Sequence, residues 1–428
     1  MNHTVEEVVL KNGARGLFIN VPGATVMSSQ FHFRAGSRFV RDKSIYETAH
    51  IMEHMAFGAN ATFADSHAYE AEFTRNGAYH NAYTSDNSMV YVSECADFEW
   101  DRILDLKKVA IVEPRFNGEE LEGEKGNVKS ELTGYLNNYN RLLWPKISQK
   151  MGEDILTYKE RLTTIPTISL ADIREHYQRT HTSHNMRFVI AGSLDGRRGK
   201  LLSMLEDWHL EPGERLPIPV DELHQTDAVM IRRRESSDVT FGLTFVAPRR
   251  LSDAELDGMA ALNHILAGTL HSRVLGAARK KGLAYSMFAD STSYEHNSSW
   301  DFGSQLTLTN LDGFFGILLS ELRQVLDGQV IEADLDGAKS YALGKHQMNF
   351  QSVGQISGQY ADRYFFDGVI ENFDRVPTDI AAITPDRIVA ASRDFMQARC
   401  WSIGFVGDLD KVAGEALRTR VLEALFER

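Results

Sequence analysis

Cysteine is scarce in this chain. There are two in 428 residues, Cys95 and Cys400, far apart and without the short spacings of a metal knuckle. That excludes a disulfide framework and suits a reducing compartment, with both thiols expected as buried small hydrophobes. No apolar run approaches the roughly 18 residues of a membrane-spanning helix, so no membrane association is expected. The opening Met1-Asn-His-Thr-Val-Glu-Glu7 has neither a basic flank nor an apolar stretch, so a cytoplasmic chain without a secretory leader is expected. Basic runs are missing too, and the formal net charge is −13. Nucleic acid is therefore not an expected partner. The acidic balance mildly favours cationic ligands such as basic peptides, although solubility explains it equally well. What is present, 43% hydrophobic and 25% charged residues, fits a soluble globular protein, and the length exceeds one ordinary core.

One stretch organises the rest: Glu47-Thr-Ala-His50-Ile-Met-Glu53-His54-Met-Ala-Phe57. Residues four apart on an α-helix share a face, so the imidazoles of His50 and His54 can reach one cation from the same side. Glu53 lies within reach of a water on that cation. Two histidines and a carboxylate bind Zn²⁺ and leave a fourth position open. The order His-x-x-Glu-His is the inverse of the commoner His-Glu-x-x-His, the inverzincin signature. Ser44, with Glu47 three residues on, reads as a capping box that starts the helix. A solvated helix turn with two surface histidines is the plain alternative, but the Ala, Ile, Met and Phe around the motif make such a cluster costly to bury without a role.

A third ligand must come from elsewhere. The run Glu119-Glu-Leu-Glu-Gly-Glu124-Lys-Gly-Asn-Val-Lys-Ser-Glu131-Leu offers several carboxylates. Glu124 and Glu131 are two helical turns apart and share a face, which on its own also describes a solvated acidic helix. Here the chain resembles the pitrilysin, insulin-degrading enzyme and mitochondrial processing peptidase family of zinc endopeptidases. The family's helical His-x-x-Glu-His is followed, after a nearly fixed interval, by a ligand glutamate with another glutamate one heptad before it. Glu131 lies 131 − 54 = 77 positions past His54 and fits that interval, and Asn81-Ala-Tyr-Thr84 and Pro114-Arg-Phe116 extend the match. The resemblance implies one zinc ion per chain on His50, His54 and Glu131, Glu53 as general base and Glu124 holding a ligand. It also implies that substrate peptide pairs as an added strand along Asn81, Ala82, Tyr83 and Thr84, a mode in which main-chain hydrogen bonds grip any sequence. His80 is expected to be an ordinary hairpin residue.

The remainder reads as strands and helices in two similar halves. Val8–Leu10 and Gly16–Asn20 flank an Asn12-Gly13 turn signal, and residues 26–35 alternate as a strand half covered by helices. Helices are expected over 63–76, 100–112 and 119–138, and residues 139–168 resist assignment. An internal repeat follows. Ser169 caps a helix leading to Phe188-Val-Ile-Ala-Gly192, and Thr384 with Pro385 starts one leading to Ile403-Gly-Phe-Val-Gly407. One offset relates them: 384 − 169 = 215 and 407 − 192 = 215. The expected fold is α+β with two similar halves, each a mostly antiparallel sheet packed with helices. Residues 1–209 form the catalytic half, 210–225 a Pro-bearing linker and 226–428 the second half. In that half only His264 remains at the matching place, without a ligand partner.

Arg279-Lys-Lys-Gly282-Leu-Ala-Tyr285 resembles the family's Arg…Gly-Leu-Ala-Tyr element, whose Arg and Tyr close over peptide near the zinc; the spacing here is one residue short. The resemblance implies a peptide substrate and a dimer closing around a chamber, either a homodimer or a heterodimer with a sister chain. The alternatives are a non-catalytic core-type subunit, or a peptidase dedicated to one ribosomal peptide precursor.

Overall fold

A computed structural model describes residues 2–427, which fall into two compact units. The first takes the chain up to Gly134, then Tyr158–Pro219 and Met348–Glu371; the second takes Tyr135–Thr157, Val220–Gln347 and the chain from Asn372 onward. The main crossing, at Pro219, lies inside the Pro-bearing connector, but each unit also holds one segment from the other half.

Six strands form the first sheet: β1 Thr4–Val9, β2 Arg15–Asn20, β3 Val26–Phe33, β4 Tyr79–Thr84, β5 Met89–Ala96 and β6 Met186–Gly192. Their order is β1-β2-β6-β3-β5-β4, antiparallel except for β2 beside β6. The Asn12-Gly13 turn works as its residues predict. Gly13 takes φ +88° and the Asn12 side chain accepts from the Ala14 N–H. The helices of the N-terminal half of the chain are α1 Thr48–Ala56, α2 Ser66–Thr74, α3 Trp100–Val112, α4 Gly118–Tyr135, α5 Tyr139–Met151, α6 Tyr158–Thr164, α7 Leu170–Thr180 and α8 Arg198–Glu206. α7 opens on a full capping box between Ser169 and Asp172.

The half-covered sheet expected from β3 is covered on both faces. Its polar residues meet the helix Val353–Asp367: Gln30 donates to Ser357 at 3.0 Å, and the His32 and Phe365 rings lie 5.2 Å apart. Alternation in the sequence shows two chemically different faces; it does not show whether a distant segment covers the polar one.

The second sheet repeats the first without its outermost strand. β7 Val229–Arg232, β8 Asp238–Ala247, β9 Phe288–Ser293, β10 Ser298–Thr307 and β11 Cys400–Gly407 run in the order β7-β11-β8-β10-β9. β7 and β11 are parallel, as β2 and β6 are. The 215-residue offset thus relates two copies of one topology. The core of this unit is aromatic: Phe241, Phe245, Trp300, Phe314, Phe315 and Trp401 are fully buried together. α5, which sequence reasoning leaves unassigned and which contains Pro145, lies across this sheet at Gly242 and Gly404, paired neighbours on β8 and β11. A Cβ on Gly404 would come within 2.9 Å of Leu143 and Ile147, so bare backbone there lets the helix approach.

Candidate active site

α1 brings His50, Glu53 and His54 to one place, and α4 brings Glu124 and Glu131 to meet them. The two imidazole rings are 5.0 Å apart and nearly perpendicular. Their Nε2 atoms approach a single carboxylate oxygen, Glu131 Oε2, at 3.4 Å from His50 and 3.7 Å from His54. One ligand atom from each of the three lies within 4.8 Å of the others, and no second such group of His, Cys, Asp or Glu occurs among the described residues.

Those separations fit a zinc ion. Bonds of about 2.0–2.1 Å to nitrogen and oxygen in a tetrahedron put ligand atoms roughly 3.4 Å apart. The opposite ring nitrogens are held in place. His50 Nδ1 lies 3.1 Å from Glu47 Oε2, and His54 Nδ1 lies 3.1 Å from Glu124 Oε2, so both Nε2 atoms are turned toward Glu131. Glu124 is steadied in turn by the Asn127 amide at 3.0 Å.

With only the chain's own charges present, the site draws in positive charge. Burial opposes protonation of both rings, yet hydrogen bonds to Glu131 and Glu47 lift His50 to about 9, and bonds to Glu124 and Glu131 lift His54 to about 10. Glu53 is also raised, above an ordinary carboxylate in water. Burial raises its pKa, opposed by His50 and by the Thr84 hydroxyl, which donates to Glu53 Oε2 at 2.6 Å. A carboxylate made more basic by burial and aimed beside a metal position suits proton abstraction.

The stretch 79–84 is β4, the edge of the first sheet, paired on one side to β5. Its side chains alternate. Ala82 is buried, and Thr84 reaches Glu53 on α1; Tyr79, Asn81 and Tyr83 are exposed on the opposite face. Thr84 therefore touches Glu53 itself as well as lying on the strand. His80 packs as a structural residue, stacked 4.0 Å from Phe73 and 2.6 Å from Glu70.

Arg279 and Tyr285 belong to the second unit. Arg279, in the last turn of the helix Arg273–Lys280, donates to the Tyr285 carbonyl at 2.6 Å and lies over the Tyr285 ring at 4.4 Å. The Tyr285 side chain is largely exposed. His264 stacks on Tyr341 at 4.1 Å, in keeping with a structural role.

The capping box expected from Ser44 and Glu47 is not formed. Ser44 lies in a short 3-10 turn, α1 starts at Thr48, and Glu47 precedes it with no cap bond. The Glu47 side chain is fully buried and spent elsewhere, on His50 and on the Arg161 guanidinium. Sequence reasoning missed both residues in this role. The spacing of Glu47 three before His50 was visible; its partner 114 residues later was not.

The family described as Insulinase (Peptidase family M16) matches residues 17–154, and the one described as Peptidase M16 inactive domain matches residues 167–341. This chain belongs to peptidase family M16. Among curated M16 relatives, a Rickettsia felis protein named uncharacterized zinc protease is 23% identical over 363 residues, 83% of this chain and 86% of its own length. The mitochondrial-processing peptidase subunit beta of Lentinula edodes is 21% identical over 425 residues, covering 94% of this chain and 89% of the relative. Among solved structures, a Pseudomonas fluorescens protein described as a peptidase M16 inactive domain superposes with a TM-score of 0.84 at 17% identity, covering 95% of this chain and 99% of that one. A Helicobacter pylori protease does so at 0.80 and 16% identity, covering 95% and all of its length. These likenesses establish an M16 peptidase fold. The match described as inactive begins at residue 167, within the first half, and runs on through much of the half that repeats the topology without the His-Glu-His set. No helix among the described residues is long and apolar enough to cross a membrane.

Proposed function

We propose that this M16 chain is a zinc-dependent endopeptidase that cleaves extended peptides. The observation that carries the reading is the convergence of the His50 and His54 Nε2 atoms on one oxygen of Glu131, with Glu53 alongside. Zinc, when bound by these three residues, supplies Lewis acidity that polarises a scissile carbonyl and acidifies water. Glu53 takes the proton from the attacking water and passes it to the leaving amine, while Thr84 holds its carboxylate in line. Substrate adds as a strand along β4, whose outer edge pairs with no other strand among the described residues. Arg279 and Tyr285 are the candidates for a clamp on the peptide. The relatives named as subunits favour an assembly of two chains, alike or different, and a closed chamber would admit flexible peptides rather than folded proteins. The charge of −13 favours basic ones.

The rival reading, a non-catalytic subunit of the same fold, draws on the solved relative described as an inactive domain. Against it stands Glu53, which a scaffold does not require. Zinc analysis of purified protein, together with cleavage of a quenched peptide library, separates the two. The expected result is one zinc per chain and cleavage that a chelator stops and zinc restores. Zinc-free protein, or cleavage indifferent to the chelator, would remove the enzyme reading.

A further inference from the structure

Glu47 is a carboxylate with no exposed surface. Arg161 on α6 reaches it with two nitrogens, Nε to Oε1 and Nη2 to Oε2, the latter at 3.1 Å. The guanidinium is itself nearly buried, against the rings of Tyr46 and Tyr158. A fork of this kind keeps the carboxylate ionised, and an ionised carboxylate accepts hydrogen bonds and donates none. His50 Nδ1, 3.1 Å from Glu47 Oε2, must therefore carry the proton, and in the neutral ring the lone pair then lies on Nε2. That nitrogen is the one facing Glu131.

Stability is a poor reason for this pair. A buried ion pair is often no better than apolar residues of the same volume, so its presence beneath a ligand asks for another role. The other histidine shows the contrast. Glu124, which holds His54, is partly exposed and steadied by a neutral amide, so the two rings are fixed by devices of different stiffness.

We propose that Glu47, locked by Arg161, is a positioning residue that fixes the Nδ1–H tautomer and the ring orientation of His50 and so presets its Nε2 for the metal. This rests on the zinc reading above and extends it to a residue pair outside the ligand set. Removing Glu47 alone would strand a buried guanidinium, so the test uses paired changes. Glu47→Leu with Arg161→Leu removes the acceptor and leaves no buried charge. Glu47→Gln with Arg161→Leu keeps a neutral acceptor at the same reach. Zinc dissociation constants, measured by competition with a chelating dye, are expected to weaken about 10–100-fold in the first variant. Most of that loss should return in the second.

Wild-type affinity in the Leu/Leu protein, or equal weakening in both, would overturn the positioning role and leave the enzyme reading untouched. A wild-type protein that takes up no zinc would instead defeat the enzyme reading and this one with it. Nitrogen NMR of the zinc-loaded wild type, with labelled histidine, gives a check that needs no variant. The His50 proton is expected on Nδ1, and a proton on Nε2 would refute the assignment.

Discussion

Glu53→Gln isolates one function in one side chain. The amide keeps the size of the carboxylate, and its carbonyl can still accept the Thr84 hydroxyl, but it cannot take a proton from water. Turnover should fall by roughly 10²–10⁴-fold, the usual contribution of a positioned base, while zinc content stays at the wild-type level. Steady-state cleavage of a quenched peptide alongside metal analysis checks both halves; wild-type turnover would take the base role from Glu53. This part of the site was legible in the sequence because it is local. Two imidazoles at i and i+4 and a glutamate beside the second need only helical geometry. Glu131 was a different case. Its residue type and face were readable, but the choice among the carboxylates of α4 came from the resemblance, and three-dimensional proximity then brought it to both rings. The hold of Arg161 on Glu47 had no sequence signal, since nothing in either local pattern specifies a partner over a hundred positions away.

At the level of elements, the legible features were again those set by neighbours in the chain. The Asn12-Gly13 hairpin, the Ser169 and Thr384 caps and α3 all follow from short-range chemistry. The exchange of segments between halves does not, because an amphipathic helix shows which face is apolar and not which sheet will receive it. α5 is the clearest instance. Its Leu143, Trp144 and Ile147 meet β8 and β11 at Gly242 and Gly404, glycines that look unremarkable within their strands until the helix is in place. Gly404→Val should therefore push α5 off the sheet, with overpacking costing about 1–3 kcal/mol. A lower urea midpoint with unchanged zinc affinity is the expected outcome, because His50, His54 and Glu131 belong to the other unit. An unchanged midpoint would mean that the close approach carries no packing weight.

For the whole molecule, acid is the informative variable, because the first unit buries histidines that must stay neutral. His32 is depressed to about 3 and His176 to about 4, and His181 lies well below its ordinary value, in each case chiefly through burial. Neighbouring charges add to this: Arg215 faces His32, and Arg179 faces His176, with Glu175 opposing. An unfolded chain protonates histidine near pH 6.5. Between that value and about 4, the unfolded state therefore binds protons that the folded state refuses, and stability must fall as pH falls. His50 and His54, held at about 9 and 10 in the zinc-free protein, are protonated in both states below pH 6 and add no slope. Asp301, raised by burial to about 6, opposes the trend with one proton, and the burial-raised Glu53 acts in the same sense. Urea denaturation of zinc-free protein at intervals from pH 7 to 4.5 should therefore show stability declining steadily below 6.5, before ordinary carboxylates titrate. Replacing His176 by Gln, which cannot take up a proton, should flatten that decline by its one-proton share. A profile level from pH 6.5 to 5 would mean that these histidines accept protons in place, and that the interior around β3 and α7 is wetter than its packing implies.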